Sequence, residues 1–214
     1  MIELFKIRAS EVGLIMPEPK SKSETLSQGA KTLLENKAKQ LIYGFDMFRG
    51  NKYTEKGNLV ENDSIELYNR LFFTNYRKHE GRVVKGYLTG ECDIDTGDTI
   101  IDIKSSWDLS TFPVTVKEAV NAQYFAQLQA YMYLYERHHA KLAYCLVNTP
   151  EHLIGRDAPE DHYFDGIPDN MRVTVVDIPR NDEYIERMLD KIEKACYYFD
   201  TVYKSIIEMH EQYG

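Results

Sequence analysis

The chain has 214 residues, which is enough for one well-packed domain and short for two. Its share of hydrophobic residues, 43%, is ordinary for a globular protein, and the lack of any run of about 18 apolar residues argues against a membrane span. A net charge of −8 argues against a protein that coats nucleic acid non-specifically, since phosphate binding needs clustered lysines and arginines. It leaves open a protein that holds nucleic acid in one local groove.

The cysteines restrict the class of protein further. Cys92, Cys145 and Cys196 stand far apart and form no CxxC pair. This spacing predicts neither a disulfide framework nor a zinc or iron–sulfur site, and it favours a reducing, cytosolic setting. The first ten residues also lack the charged-then-apolar plan of a secretory signal.

Helical and strand-like periodicities alternate along the chain. Four segments are predicted as helices, over residues 23–45, 59–76, 116–139 and 182–212. Five are predicted as strands, over residues 83–88, 90–94, 99–104, 142–147 and 172–178, and residues 50–58 are predicted as a polar loop. This order favours an α+β (α/β) fold in which a mixed central β-sheet is flanked by helices.

The most informative stretch is GECDIDTGDTIIDIKSSW, residues 90–107. A tight turn at Thr96-Gly97 would pair its two strands as a hairpin. The pairs would be Ile94 with Thr99, Asp93 with Ile100, and Glu91 with Asp102. Because side chains alternate along a strand, Glu91, Asp93, Asp102 and Lys104 would share one face. Glu91 and Asp93 then both lie within reach of a cation bound at Asp102.

Three carboxylates this close repel one another unless they are protonated, paired or bound to metal. Lys104 can neutralise only one of them. Oxygen ligands without His or Cys favour Mg²⁺ or Mn²⁺ over zinc. The alternative is a solvated hairpin with incidental charges, but Ile100 and Ile101 indicate a buried strand, where Asp and Lys need a partner.

GECD, followed after eight residues by DIK, resembles the PD-(D/E)xK nuclease signature. The resemblance makes Asp93 the first acid and Asp102-Ile103-Lys104 the second element, and it selects Asp93 where the hairpin alone left Glu91 open. Cys92 stands where many members have proline. The resemblance implies a restriction-endonuclease-like core.

Two helical elements extend this resemblance. Glu61 shares a helix face with Ile65 and Tyr68 and resembles the family's helix-borne glutamate, although an acid near a helix N-terminus is also favoured by the dipole alone. Gln127 and Tyr131, one turn apart, resemble the QxxxY element of RecB-like and λ-exonuclease-like nucleases. A plain surface-to-core pair is the alternative. Residues 122–148 resemble λ-type (YqaJ-like) phage exonucleases in particular.

The resemblance also suggests residues that contact DNA. Residues 6–12 are similar to the family's opening stretch, so Ser10 would bind a phosphate at a helix start, unless it is an ordinary N-cap serine. The arginine that accompanies this serine in the family is replaced by Glu3, so Lys6 or Arg8 would have to serve instead. Trp107 could stack on unpaired bases, or it could simply pack its loop against a helix. Tyr131 would either contact DNA or support the packing of its helix.

By this resemblance, Asp93, Asp102, Glu61 and the carbonyl of Ile103 would hold Mg²⁺, which Mn²⁺ could replace. Lys104 would orient or deprotonate the attacking water, and Gln127 would anchor Lys104 or the nucleophile. We therefore expect one nuclease domain over residues 1–214, with a helical part (1–80), a catalytic sheet with helices (81–180) and a C-terminal helix (181–214).

The implied activity is Mg²⁺-dependent exonuclease cleavage of double-stranded DNA ends, 5′→3′, in phage-type recombination. The implied setting is the cytoplasm of a bacterial host. A homo-oligomeric, trimer-like ring is expected, because segregated Lys and Arg could line its channel, and a single-strand annealing or ssDNA-binding protein is the implied partner. The main alternative is a structure-specific, resolvase-like endonuclease. A catalytically silent DNA-binding module would lack the acids and the lysine, and an iron–sulfur nuclease would need four cysteines.

Overall fold

The structure is a computed structural model that describes residues 5–47 and 50–211. The helices are α1 Val12–Ile15, α2 Gln28–Tyr43, α3 Lys52–Leu59, α4 Glu61–Phe72, α5 Val116–Ala119, α6 Ala122–Tyr135, α7 Glu151–Ile154 and α8 Asp182–Glu211. The strands are β1 Ile7–Arg8, β2 Val83–Lys85, β3 Leu88–Gly90, β4 Ile94–Asp95, β5 Thr99–Ser105, β6 His139–Cys145 and β7 Val173–Pro179.

The strands form two sheets. The larger has the order β4-β5-β6-β7, in which only the central pair β5 and β6 is parallel. Its crossover carries α5 and α6, as a parallel connection requires. The smaller sheet has the order β1-β3-β2. The prediction of an α+β fold with a mixed sheet flanked by helices is confirmed. No helix in the described part of the chain is long and apolar enough to cross a membrane.

Helices cover both faces of the larger sheet, and β5 alternates between them. Ile100 belongs to the apolar core that contains most of α6. Ile101 and Ile103 belong to a second core on the opposite face, together with Ile65 and other residues of α4. The even-numbered positions of β5 therefore face α6, which is the side that receives Asp102 and Lys104.

Several predicted boundaries were wrong. Residues 50–58, predicted as a loop, contain most of α3, which begins at the Asn51 cap and is separated from α4 by Val60. The helix predicted over residues 116–139 is broken where Val120 is extended and Asn121 caps α6. The first predicted helix is shorter, at Gln28–Tyr43, and Gln212, the predicted last residue of the final helix, lies outside the described residues.

The strand predicted over residues 90–94 was also wrong. Its two ends belong to different sheets, because β3 ends at Gly90 and β4 begins only at Ile94. Cys92 and Asp93 lie in the break between them. Asp93 is therefore not part of a regular β-ladder, and its side chain can turn toward β5.

The hairpin register differs from the prediction by two residues. Ile94 pairs with Ile101, and the Thr96 backbone N–H donates to the Thr99 carbonyl at 3.0 Å, so the two-residue turn is Gly97-Asp98 and not Thr96-Gly97. Gly97 has φ 87°, which suits glycine at the first central position of a type II′ turn. A shift of two keeps every side chain on its predicted face.

Candidate active site

Asp102 and Lys104 form a buried ion pair on the α6 face of β5. Asp102 is fully buried, and its Oδ2 lies 2.7 Å from Lys104 Nζ. The same ammonium lies 4.8 Å from the centre of the Tyr124 ring. This contact confirms the prediction that Asp102 and Lys104 share a face.

Gln127 supports Asp102 from α6. Its Nε2 donates to Asp102 Oδ1 at 3.3 Å and to the Tyr131 hydroxyl at 3.1 Å. The sequence suggested that Gln127 anchors Lys104 or the nucleophile, whereas the structure brings it to the carboxylate that binds Lys104. Gln127 thus fixes the orientation of Asp102, which has one oxygen toward α6 and the other toward Lys104.

Asp93, and not Glu91, joins this pair. Continuing the observed register places Asp93 opposite Asp102, and Asp93 Oδ2 accepts the Ile103 backbone N–H at 2.6 Å. Glu91 turns away, with Oε2 lying 3.5 Å from Arg82 and Oε1 accepting the Gly81 N–H at 3.4 Å. The predicted pairing of Glu91 with Asp102 was a consequence of the misplaced turn.

Burial and neighbouring charges perturb Asp93 and Lys104. Burial raises the pKa of Asp93 to about 7, with a further increase from the charge of Asp102 that Lys104 offsets only in part. For Lys104, burial alone would lower the pKa, but Asp102 and Asp93 together outweigh it and raise the pKa above its usual value. The site therefore holds more negative charge than one lysine neutralises, as expected of a place that receives a cation.

Replacing Asp93 with asparagine should stabilise the metal-free protein at pH 8. The folded-state pKa of Asp93 is raised from 3.8 to about 7, so its contribution to stability is present below pH 3.8 and is lost as the pH rises through 7. Asparagine removes the charge and can still accept the Ile103 N–H. We expect a gain of about 2 to 4 kcal/mol in chelator at pH 8, and less than half of it at pH 5.

Thermal unfolding at both pH values would measure this gain. Asp177→Asn is the matched control, because Asp177 lies on β7 with its side chain 82% exposed. A lower melting temperature for Asp93→Asn at pH 8, or a gain that is equal at both pH values, would contradict the electrostatic account.

Glu61, the first residue of α4, lies near the aspartates. Its charge is the smallest of the causes that raise the pKa of Asp93. Its Oε2 accepts a hydrogen bond from Lys78 Nζ at 2.5 Å, while its Oε1 is buried without a hydrogen-bond partner. The sequence did not single out Lys78, because this lysine lies in an irregular segment between α4 and β2.

The donor chemistry of these residues fits a hard divalent cation. Asp93, Asp102 and Glu61 supply only oxygen, and the buried Oε1 of Glu61 lacks a partner. Within residues 5–47 and 50–211, however, no three His, Cys, Asp or Glu side chains are grouped closely enough to form a finished metal site. Two lysines hold two of the acids instead, so a cation would have to draw these acids together.

Comparison with known proteins identifies the family. A phage-related exonuclease from Haemophilus somnus 129PT is 33% identical in sequence, the match covers 96% of both chains, and the TM-score is 0.85. The present chain belongs to the λ-exonuclease-like family of PD-(D/E)xK nucleases. No protein-family model and no curated protein matches the chain.

Two more distant structures share the fold. An alkaline exonuclease (LHK-Exo) from Laribacter hongkongensis is 14% identical, covers 98% of this chain and 95% of its own, and has a TM-score of 0.72. LHK-Exo in complex with dAMP is 16% identical over the same shares, with a TM-score of 0.73.

The residues that family resemblance assigned to DNA differ in exposure. Ser10 is exposed in the short 3₁₀ helix Ala9–Glu11, just before α1, although it does not cap that helix. Arg8 is 60% exposed and pairs with Glu11 through Nη2 at 2.7 Å. Lys6 Nζ lies 5.6 Å from the centre of the Tyr87 ring. Glu3 lies outside the described residues.

The burial of Trp107 and Tyr131 bears on their predicted DNA contacts. Trp107 is 6% exposed and packs edge-to-face against Tyr53 and His162. Tyr131 is 5% exposed, and a Cβ added to Gly90 would lie 2.8 Å from its ring. The low exposure of both rings favours packing, the alternative for both.

Lys56, which the sequence pattern did not reveal, locks the loop that follows β5. This lysine is fully buried in α3, and its Nζ donates to the carbonyls of Ser106 at 2.6 Å, Trp107 at 2.9 Å and Val147 at 2.9 Å. Burial lowers its pKa to about 8. Lys56 thus connects α3 to the segments that directly follow β5 and β6.

Replacing Lys56 with methionine should destabilise the protein by about 3 kcal/mol or more, because three buried carbonyls lose their donor. Urea unfolding would measure this loss. Lys194→Met, which removes an exposed ion pair with Asp190 in α8, is the control and should change stability by less than about 1 kcal/mol. Equal effects of the two substitutions would show that the Lys56 bonds contribute little.

Proposed function

We propose that this protein is a DNA exonuclease that hydrolyses phosphodiester bonds with the help of Mg²⁺, which Mn²⁺ could replace. The observation that carries the proposal is the constellation of Asp93, Asp102 and Lys104 on one half-buried face, in a chain that belongs to an exonuclease family. Two acids and a lysine arranged in this way match the chemical needs of phosphodiester hydrolysis.

Each residue has a defined part in the proposal. Asp93, Asp102, Glu61 and the Ile103 carbonyl would hold the divalent ion, which when bound lowers the pKa of a water molecule and neutralises charge on the scissile phosphate. Gln127 keeps the Asp102 carboxylate in place. Lys104, which pairs with Asp102, would orient or deprotonate the attacking water and offset developing charge.

The finer assignment rests on the relatives. The phage-related exonuclease of Haemophilus somnus supports the exonuclease activity. By family resemblance, we extend the proposal to the ends of double-stranded DNA, to phage-type recombination and to a bacterial cytoplasm. We extend the proposal to 5′→3′ polarity and 5′-phosphorylated products. A homo-oligomeric ring and a single-strand annealing or ssDNA-binding partner belong to the same proposal. The complex of LHK-Exo with dAMP supports a nucleotide-binding site on this fold.

The test uses end-labelled linear duplex DNA and covalently closed circular DNA, each with Mg²⁺ and with chelator. The proposal predicts Mg²⁺-dependent loss of linear DNA only, with a label at the 5′ end released first. Lys104→Ala should be inactive, and Lys141→Ala should be active, because Lys141 lies on neighbouring β6 with a side chain 40% exposed. Cutting of circles would favour the resolvase-like endonuclease. No cleavage of either substrate would favour a silent DNA-binding module.

A further inference from the structure

Two ammonium groups neutralise the acids of the site, and they are held in different ways. Lys104 extends from the central strand β5, and its side chain is 23% exposed. Lys78 extends from the irregular segment between α4 and β2, and its side chain is 49% exposed. Of the two lysines, Lys78 is therefore the more exposed, and its side chain does not extend from a strand of the sheet.

The backbone on both sides of Lys78 is fixed. On one side, the Asn69 side chain bonds to the backbone of Tyr76, donating to its carbonyl at 2.8 Å and accepting its N–H at 2.9 Å. On the other side, the His79 N–H donates to the Asp93 carbonyl at 2.7 Å. The base of the Lys78 side chain is thus anchored beside the acids, and the freedom lies in its four-carbon stem.

The charge of Lys78 is directed at the site acids. Its hydrogen bond to Glu61 raises its pKa, with further contributions from the charges of Glu61, Asp93 and Glu91, so Lys78 is an ammonium ion at neutral pH. Asp93 and Asp102 already share the one charge of Lys104. The ammonium of Lys78 supplies positive charge where a divalent cation would otherwise supply it.

We propose that Lys78 is an intramolecular competitor of the divalent cation: it holds Glu61 in the metal-free protein and releases it when the cation binds. This inference rests on the proposed function, because it takes Glu61 to be part of the metal site. It explains why Glu61 has a buried oxygen without a partner, yet does not complete a three-acid group with the aspartates. Once released, the half-exposed ammonium is free to meet a DNA phosphate.

The test is calorimetric titration of the full chain with Mn²⁺, without DNA. Lys78→Met removes the charge and keeps the apolar stem, so it should bind Mn²⁺ about 10-fold more tightly than the unmodified protein, as expected when one positive charge is removed from near a divalent ion. Lys78→Arg keeps the charge and should bind within about 3-fold of the unmodified protein. Lys85→Met, which removes a lysine of the smaller sheet that pairs with Glu136 at the end of α6, should have no effect.

Melting temperature gives a second measurement. Without metal, Lys78→Met should melt below the unmodified protein, because Glu61 loses its counter-charge, and Mn²⁺ should raise its melting temperature by a larger amount. Glu61→Gln should abolish the advantage of Lys78→Met in Mn²⁺ affinity, since the competition acts through Glu61.

The possible failures are distinguishable. If Mn²⁺ binds and needs Asp102, but Lys78→Met binds it equally or more weakly, the competitor role is overturned and the proposed function stands. Weaker binding would mean that Lys78 orients Glu61 for the ion. If Mn²⁺ binds neither the unmodified protein nor Lys78→Met, the metal site itself is overturned, and both proposals fall with it.

Discussion

Replacing Lys104 with methionine should reduce the rate of DNA hydrolysis about 10² to 10⁴-fold, the range for loss of a group that positions or transfers a proton. The ammonium of Lys104 lies 2.7 Å from Asp102 Oδ2, on the face where the water would be activated. Methionine keeps the length of the side chain and removes the charge. The initial rate of nucleotide release from linear duplex DNA, at saturating Mg²⁺, is the measurement.

The matched control is Lys141→Met on the adjacent parallel strand, where the lysine faces Asp177 at 3.7 Å. This variant should keep the full rate. If Lys104→Met kept more than a tenth of the activity while its melting curve showed a folded protein, Lys104 would not be part of the catalytic machinery.

Replacing Asp102 with asparagine should lower hydrolysis about 10³-fold or more and weaken the binding of Mn²⁺ in the same preparation. A metal ion contributes several kcal/mol to stabilising the transition state, and each 1.4 kcal/mol corresponds to about tenfold in rate. The amide cannot keep both contacts, because its NH₂ group would face either Lys104 or the donating Nε2 of Gln127. Rate and Mn²⁺ affinity measured together separate loss of metal from loss of fold.

Asp177→Asn is the control for Asp102→Asn as well, since this aspartate on β7 is remote from α6 and 82% exposed. It should keep both the rate and the Mn²⁺ affinity. If Asp102→Asn lost the activity but bound Mn²⁺ normally, Asp102 would act through Lys104 and Gln127 alone, and it would not be a metal ligand.

The sequence predicted the composition of the site better than its geometry. Alternation along β5 was sufficient to place Asp102 and Lys104 on one face, because the two-residue period of a strand does not depend on pairing. The pairing itself depended on the turn, and the shift from Thr96-Gly97 to Gly97-Asp98 moved the register by two residues. That shift brings Asp93, and not Glu91, opposite Asp102, so geometry and family resemblance now agree.

What the sequence missed depends on contacts between distant segments. Residues 52–59 contain Gly57 and Asn58, which favour a loop, yet they form α3 because Lys56 finds three carbonyls of other segments in the interior. Lys78 belongs to no periodic pattern. It bonds to Glu61 only because the chain after α4 runs back beside Asp93, where the His79 N–H donates to the Asp93 carbonyl. Local sequence patterns do not encode such contacts between distant segments.

In the proposed function, Asp93 and Asp102 together bind the divalent ion that DNA hydrolysis requires. The most direct measurement is an anomalous difference map from a crystal of the full chain soaked in Mn²⁺, recorded at the manganese edge. We expect a peak between the carboxylates of Asp93 and Asp102, with Glu61 turned toward it and Lys78 displaced, and no such peak in Asp102→Asn. A peak elsewhere, or none at this site under conditions in which Mn²⁺ supports cleavage, would contradict it.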